Sequence, residues 1–403
     1  MASRSAWPGF IASLGLVALV ACAPATAPAA SASRPTAGAE SRPAPAGSPQ
    51  AEGQATAPAG SSQNSGAGAA ASPALQAVID GARQEGQLTL AWDSIDDSDV
   101  RQRLAAGFDR AYGLNVNVQW SAGLSMPQMA SRIAQEYQAG RPATSDVLLG
   151  SESHVVAMMR ADALTPVDWT SWAPHIRDAR LVAPNGVAIE LATRTPGITY
   201  NTSRLSGGAV PASMQDLLKP EYKGRLASTT YAANFDRLAS PQLWGRQRTL
   251  DYVAKLADQV AGLIRCGEPE RVANGEFDLL ALDCGAEDAR SLQVKGAPLG
   301  HVIASDAALL SYWYLGVPRN AAHPNAAKLW VDYMLSREGQ DLMYESDYLD
   351  HHLVPGSKVA PDIERLQASG IKFTEINVQF VQRDDPQAVE SVRAELQNLL
   401  QKQ

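Results

Sequence analysis

Five short stretches hold the side chains that could do chemistry. WDSIDDSD, from Trp92 to Asp99, sets four aspartates in eight residues behind an apolar run. SAGLSM, beginning at Ser121, is small and polar where a helix should start. GSESH offers Ser151, Glu152 and His154, and STTYAANFD offers Thr229, Thr230 and Tyr231. FDLLALDCGAEDAR, from Phe277 to Arg290, ends an apolar run in Cys284. Carboxylates with aromatic rings suit a cation. Free N–H groups at a helix start suit an anion. Oxygen donors with imidazole suit a hard metal ion, and which metal, if any, is left unknown. Asp97, Ser98 or Asp99 would also serve as helix caps. That leaves Trp92, Asp93 and Ser94, directly past the strand, as the expected contacts of that loop. His154 is read as a surface or capping residue. No G-x-S-x-G, H-E-x-x-H or phosphate-cradling Gly-Lys loop is present. Binding is therefore expected rather than catalysis, and no cofactor.

The elements that position these stretches alternate. GQLTLAWD reads as a strand, and the run from Asp99 to Gly113 as a helix with Val100, Leu104, Phe108 and Ala111 on one face. NVNVQW alternates as a strand does, Met126 to Gly140 is a second amphipathic helix, and SDVLLGS is a short buried strand. Such β-α-β-α-β order predicts a largely parallel sheet covered on both faces. Ligands on these sheets bind beyond the C-terminal strand ends. From Gly186 onward a second set of strands and helices follows, with SYWYLG as a strand whose three rings divide between core and cleft wall.

The N-terminus has the layout of a secretory signal: Arg4, then an apolar run from about Phe10 to Ala21. Leu19-Val20-Ala21-Cys22 resembles the lipobox of bacterial lipoproteins, which implies that residues 1–22 are a signal and that Cys22 carries a lipid anchor. Residues 23–74 hold no aromatic residue and no Val, Ile, Leu or Met, so they are expected to form a disordered tether. A net charge of −8 argues against a nucleic-acid partner. The remaining length fits two domains.

TPGITYNTSRL, PASMQDLLKPEYKGRLA, VANGEFDLLALD and HPNAAKLWVDYMLSREGQ together resemble the extracytoplasmic solute-binding proteins of ABC importers, closest to the ferric-iron-binding branch. The resemblance implies an α/β, two-lobed periplasmic-binding-protein-like (type II) fold. Two mixed, mostly parallel sheets would be flanked by helices and joined by a two-strand hinge, crossing near Thr193–Thr199 and Ala304–Leu310. Lobe one would comprise residues 75–195 and 307–348, and lobe two residues 196–306 and 349–403. A monomer that hands a small solute to a membrane permease is implied. So is iron(III) or an iron complex as solute. However, the iron-binding relatives place two adjacent tyrosines where this chain has Cys284, Gly285 and Ala286. A phosphonate, carboxylate, thiamine or polyamine remains an alternative, as does a sensor or enzyme on the same fold. His351-His352, in YLDHHLVP, are expected in a surface loop. Outside the membrane thiols tend to pair. Once Cys22 is lipidated, Cys266 and Cys284 are the two that remain, each ending a strand-like piece of one unit, and a disulfide between them is expected.

Overall fold

The computed structural model describes residues 71–401. Cys22, the signal and nearly all of the tether lie outside the described residues. The tether ends earlier than expected, because a helix, α1, already runs over Pro73–Glu85, capped by Ser72. Strand β1 (Gln87–Trp92) follows a left-handed Gly86. It points Leu88, Leu90 and Trp92 inward by strict alternation, and all three are buried. Helix α2 (Ser98–Tyr112) starts at Asp97, whose carboxylate accepts the Asp99 and Val100 N–H groups, and stops at Gly113 with φ +61°. Strand β2 (Asn117–Ala122) lies parallel to β1. Helix α3 (Met126–Gln138) leads to β3 (Leu148–Ser151), and α4 (Glu152–Arg160) follows it directly.

The first lobe is completed by β4 (Ala188–Arg194) and β10 (Leu309–Gly316). β10 runs antiparallel to β3 and β4 and parallel to β11 (Thr374–Ile376). The second sheet has the order β7-β6-β8-β5-β9. Its strands are β5 (Ile198–Asn201), β6 (Leu226–Thr229), β7 (Val260–Ile264), β8 (Leu279–Leu280) and β9 (Leu299–Val302). β6 is parallel to β7 and β8, whereas β5 is antiparallel to β8 and β9. These two sheets are thus mixed: β5 runs against both of its neighbours, and β10 runs against β3 and β4 but along β11. Both enter their sheet directly from the other lobe.

Each lobe has its own core. Around Trp330 in the first pack Trp92, Phe108, Trp120 and Tyr333, with edge-on contacts at 5.3 Å to Phe108 and 5.7 Å to Trp120. Phe235, Tyr252, Leu256 and Leu396 belong to the second. The chain passes between the sheets from β4 to β5 and from β9 to β10. At Gly197 an added Cβ would meet the Val302 carbonyl oxygen at 2.5 Å, so glycine lets these two passages touch. A third passage joins β11 to the helix Pro386–Gln401, whose Val392, Leu396 and Leu400 pack in the second core. Val359 and Ile363 pack with first-lobe residues instead. The segment 349–403, expected wholly in lobe two, is therefore shared.

His351 departs from its expected surface loop. It is fully buried, stacked on Tyr312 with centroids 5.5 Å apart, and its Nε2 lies 3.1 Å from Glu190 Oε2. The reason is Glu190, a carboxyl buried in β4 that needs polar neighbours. Tyr314 donates to its other oxygen at 2.9 Å. Burial pushes Glu190 up to about 7 and His351 down to about 3, so both stay neutral in mildly acidic solution. A carboxyl raised in the folded state stabilises fully below its unfolded value, near 4, and that contribution fades as pH rises through about 7. Glu190 alone would lower the melting temperature from about pH 5 to pH 7, whereas His351, held neutral by burial, raises it as pH climbs toward about 6.5, so Glu190→Gln should climb more steeply with pH over this range than the parent. Calorimetric melts across this range check it, and an unchanged slope in the variant would refute it.

Candidate functional site

The turn after β1 forms one wall. Ile95 adopts φ +56° there, a conformation that β-branched residues avoid. Arg101 Nε donates to the Ile95 carbonyl at 2.5 Å. The turn thus holds Asp93 and Ser94 at the rim. The helix Arg337–Asp347 ends beside it, bringing Glu345 and Asp347. From lobe two comes the helix Ala286–Gln293, with Glu287 and Asp288 in its first turn. Arg194, at the end of β4, and Trp313 of β10 close the back. Together they line a cavity of about 520 Å³ between the lobes.

Arg194 is the central cation. Its Nε donates to Glu287 Oε1 at 2.5 Å, and its guanidinium lies 5.5 Å from the Trp313 ring centre. Burial opposes its charge, but Glu287 and Asp288 outweigh that and raise its pKa. Asp93, Asp96, Asp97, Glu345, Asp347 and Asp288 also face the cavity, with Lys295 as the other cation. Burial, then Glu287, pushes Asp288 up to about 7, although Arg194 pulls it down. Burial likewise pushes Asp347 up to about 6 and raises Asp93. One Asp347 oxygen and the Ser94 hydroxyl are buried with no hydrogen-bond partner.

The disulfide between Cys266 and Cys284 is present, with Cα atoms 5.7 Å apart. The strands that lead to it, β7 and β8, flank β6 rather than each other, so the bridge reaches across the end of β6. Tyr231, just past β6, accepts the Cys266 N–H at 2.9 Å and lies 3.9 Å from Cys284 Sγ. Asp288 accepts the Gly267 N–H at 3.1 Å.

The structure brings only some of the expected contacts to the cavity. Asp93 and Ser94 line it, and Tyr231 stands on the lobe-two side, within the electrostatic reach of Arg194. Trp92 goes into the core instead, 2 % exposed, its Nε1 donating to the Val147 carbonyl at 2.9 Å. Ser121 stays exposed on β2, in register with Ala91 and outside the cavity. Ser151 caps α4, with its N–H donating to His154 Nδ1 at 3.0 Å. Glu152 is buried against Arg237 of the second lobe. Thr229 is buried and accepts the Ala233 N–H, while Thr230 donates its own N–H to the Ile264 carbonyl. Sequence reasoning missed Arg194, Glu287, Asp288 and Asp347. Asp347 carried a signal, since an acid at a helix C-terminus opposes the dipole. Of the three SYWYLG rings, Tyr312 and Tyr314 are core and Trp313 faces the cleft.

Among the described residues, no group of three or more His, Cys, Asp or Glu side chains could hold a metal ion.

Comparison with known proteins agrees with the fold. An Fe(3+)-binding periplasmic protein of Serratia marcescens is 23% identical over 275 residues, covering 65% of this chain and 78% of that protein. The substrate-binding protein of an ABC transporter from Agrobacterium tumefaciens superimposes with a TM-score of 0.63 at 17% identity, over 80% of this chain and 97% of that one. Iron-bound HitA from Pseudomonas aeruginosa superimposes with a TM-score of 0.60 at 18% identity, over 77% and 99%. The model of the bacterial extracellular solute-binding proteins matches residues 144–382. These relatives are binding proteins rather than enzymes, and the chain belongs to the bacterial extracellular solute-binding protein family.

Proposed function

We propose that the chain captures its solute in the cavity that Arg194 and Trp313 back and delivers it, by lobe closure, to the membrane permease of an ABC importer. One observation carries this. Asp93 and Asp347 from lobe one and Asp288 from lobe two converge on one space, with two interlobe strands as its back wall. A solute touching both lobes binds the closed form better and shifts the population toward it. The protein would work as a monomer outside the cytoplasm, tethered to the membrane surface through Cys22.

Iron is the solute that the resemblance implies, and the cavity supports a bare ferric ion poorly. Tyr348 is on the cavity wall, while Tyr231 lies outside that lining, beside the lobe-two disulfide, so the wall carries one phenol rather than an adjacent pair. The Tyr231 hydroxyl is already bonded to Cys266, beside the disulfide. A chelated or organic solute fits better. Spin labels on the two lobes test the reading. Added solute should shorten the interlobe distance, with a saturable rise in melting temperature at one solute per chain. Lobes held at one fixed distance under all conditions would refute capture by closure.

A further inference from the structure

We propose that the solute is a small organic cation carrying ammonium groups, held between Asp93 and Asp347 of lobe one and Asp288 of lobe two. This rests on the reading of the cleft as the solute site. Carboxylates outnumber cations on the cavity wall, and Arg194 is already paired with Glu287 and stacked on Trp313. Asp93, Asp288 and Asp347 are left without a cation of their own.

The second observation is Ser94. It lines the cavity, is 8 % exposed, and its hydroxyl has no partner. A buried hydroxyl in a cavity wall is costly unless a ligand completes it. The free oxygen of Asp347 is in the same condition. An ammonium group, with several N–H donors, satisfies a hydroxyl oxygen and carboxylates together.

Other solute classes fit less well. An anion would use the first turn of α2, but Asp97 already accepts the Asp99 and Val100 N–H groups there. A metal ion needs converging donors, which the described residues do not provide. The raised carboxyls are consistent with this: burial first, with Glu287 beside Asp288, pushes Asp288 to about 7 although Arg194 pulls it down, and burial pushes Asp347 to about 6. Glu287, Glu345, Asp96 and Asp97 add to that field, and Lys295 and Arg194 oppose it. A bound cation lowers both values, so binding near pH 6.5 should release protons.

Titration calorimetry with three probes of similar length tests the proposal: 1,4-diaminobutane, 1,4-butanediol and succinate, with iron(III) citrate as a fourth. The diamine should bind at one per chain, with an enthalpy that varies with the buffer's ionisation heat, and the diol and succinate should not bind. Asp288→Asn and Asp347→Asn, each shown to be folded by circular dichroism, should weaken the diamine at least about tenfold. Ser94→Ala should weaken it by a smaller factor. Binding of succinate or iron(III) citrate, abolished in Asp288→Asn, with silence from the diamine would overturn the cation class while leaving the solute site standing. Silence from all four probes overturns the cation class as well. Diamine binding unchanged in both Asn variants would overturn the site itself.

Discussion

Replacing Arg237 with alanine should destabilise the protein by roughly 3–5 kcal/mol, the usual result of stranding one charge of a buried pair. Arg237 donates to Glu152 Oε1 at 2.7 Å and to the Ser153 hydroxyl, and both partners of the ion pair are nearly inaccessible. Behind it Asp236 is held by Arg393 of the C-terminal helix at 2.6 Å. The pair links α4 of the first lobe to the helix Phe235–Leu238 of the second, so its loss weakens interlobe contact as well as folding. Burial already raises the Glu152 pKa, with Arg237 pulling it down. Without Arg237 it rises further. A raised carboxyl stabilises at low pH and destabilises as pH climbs through its folded value, so the variant should recover stability toward pH 5. Urea melts of Arg237→Ala and of the apolar double variant Arg237→Met with Glu152→Leu separate the effects. The double variant should regain most of the loss, because an apolar pair of similar volume commonly replaces a buried ion pair at little cost. An Arg237→Ala variant that melts like the parent would show that water or the Arg393 network already compensates.

Opening the Cys266–Cys284 bridge is the second large effect. The loop spans a sequence separation of 18, and chain-entropy arithmetic for that length gives about 3 kcal/mol. The loss should not stop at stability. The bridge crosses the end of β6 and fixes the Cys266 N–H that Tyr231 accepts, and the next residue's N–H binds Asp288. Reduction should therefore loosen the lobe-two wall of the cavity and weaken solute binding. A melt with and without a dithiol reductant reads the first consequence, and solute titration of the Cys266→Ser, Cys284→Ser double variant reads the second. A double variant with parental stability would remove the staple from the account.

Much of the framework was legible in local sequence. The alternation of GQLTLAWD, the Asp97 cap and the Gly113 stop each follow from one strand or helix rule, and each appears in the structure. The disulfide was legible because the chain offers few thiols. Trp92 shows how a local rule can be under-used. It shares the parity of Leu88 and Leu90, so the alternation that made the strand also sent the ring inward. Position past a strand end was the weaker guide. Arg194 and His351 were illegible for another reason. Their roles depend on Glu287, 93 residues away, and on Glu190, 161 residues away, and no spacing within a single element encodes such meetings. β3 beside β10 is of the same kind.

The interlobe connections constrain how the molecule can open. β4, β10 and β11 lie side by side in the first sheet, with Ser311 paired to Arg194 on one edge and to Ile376 on the other. β4 leads into the second lobe, β10 comes from it, and the chain beyond β11 returns to it as the helix Pro386–Gln401. At about 4.8 Å between neighbours, this is a ribbon about 10 Å wide. Bending across its width keeps the paired strands at equal length, whereas twisting about its long axis must draw the outer strands past the central one. Opening is then closer to the swing of a door than to the turn of a screw, so the mouth of the cavity gapes along one line. Rotation should be taken up at Pro196–Gly197 and in the short spans after Val302 and Ile376. On the proposed closure, the wall formed by Arg194 and Trp313 should stay near the axis, and the carboxylates of the two lobes should travel farthest.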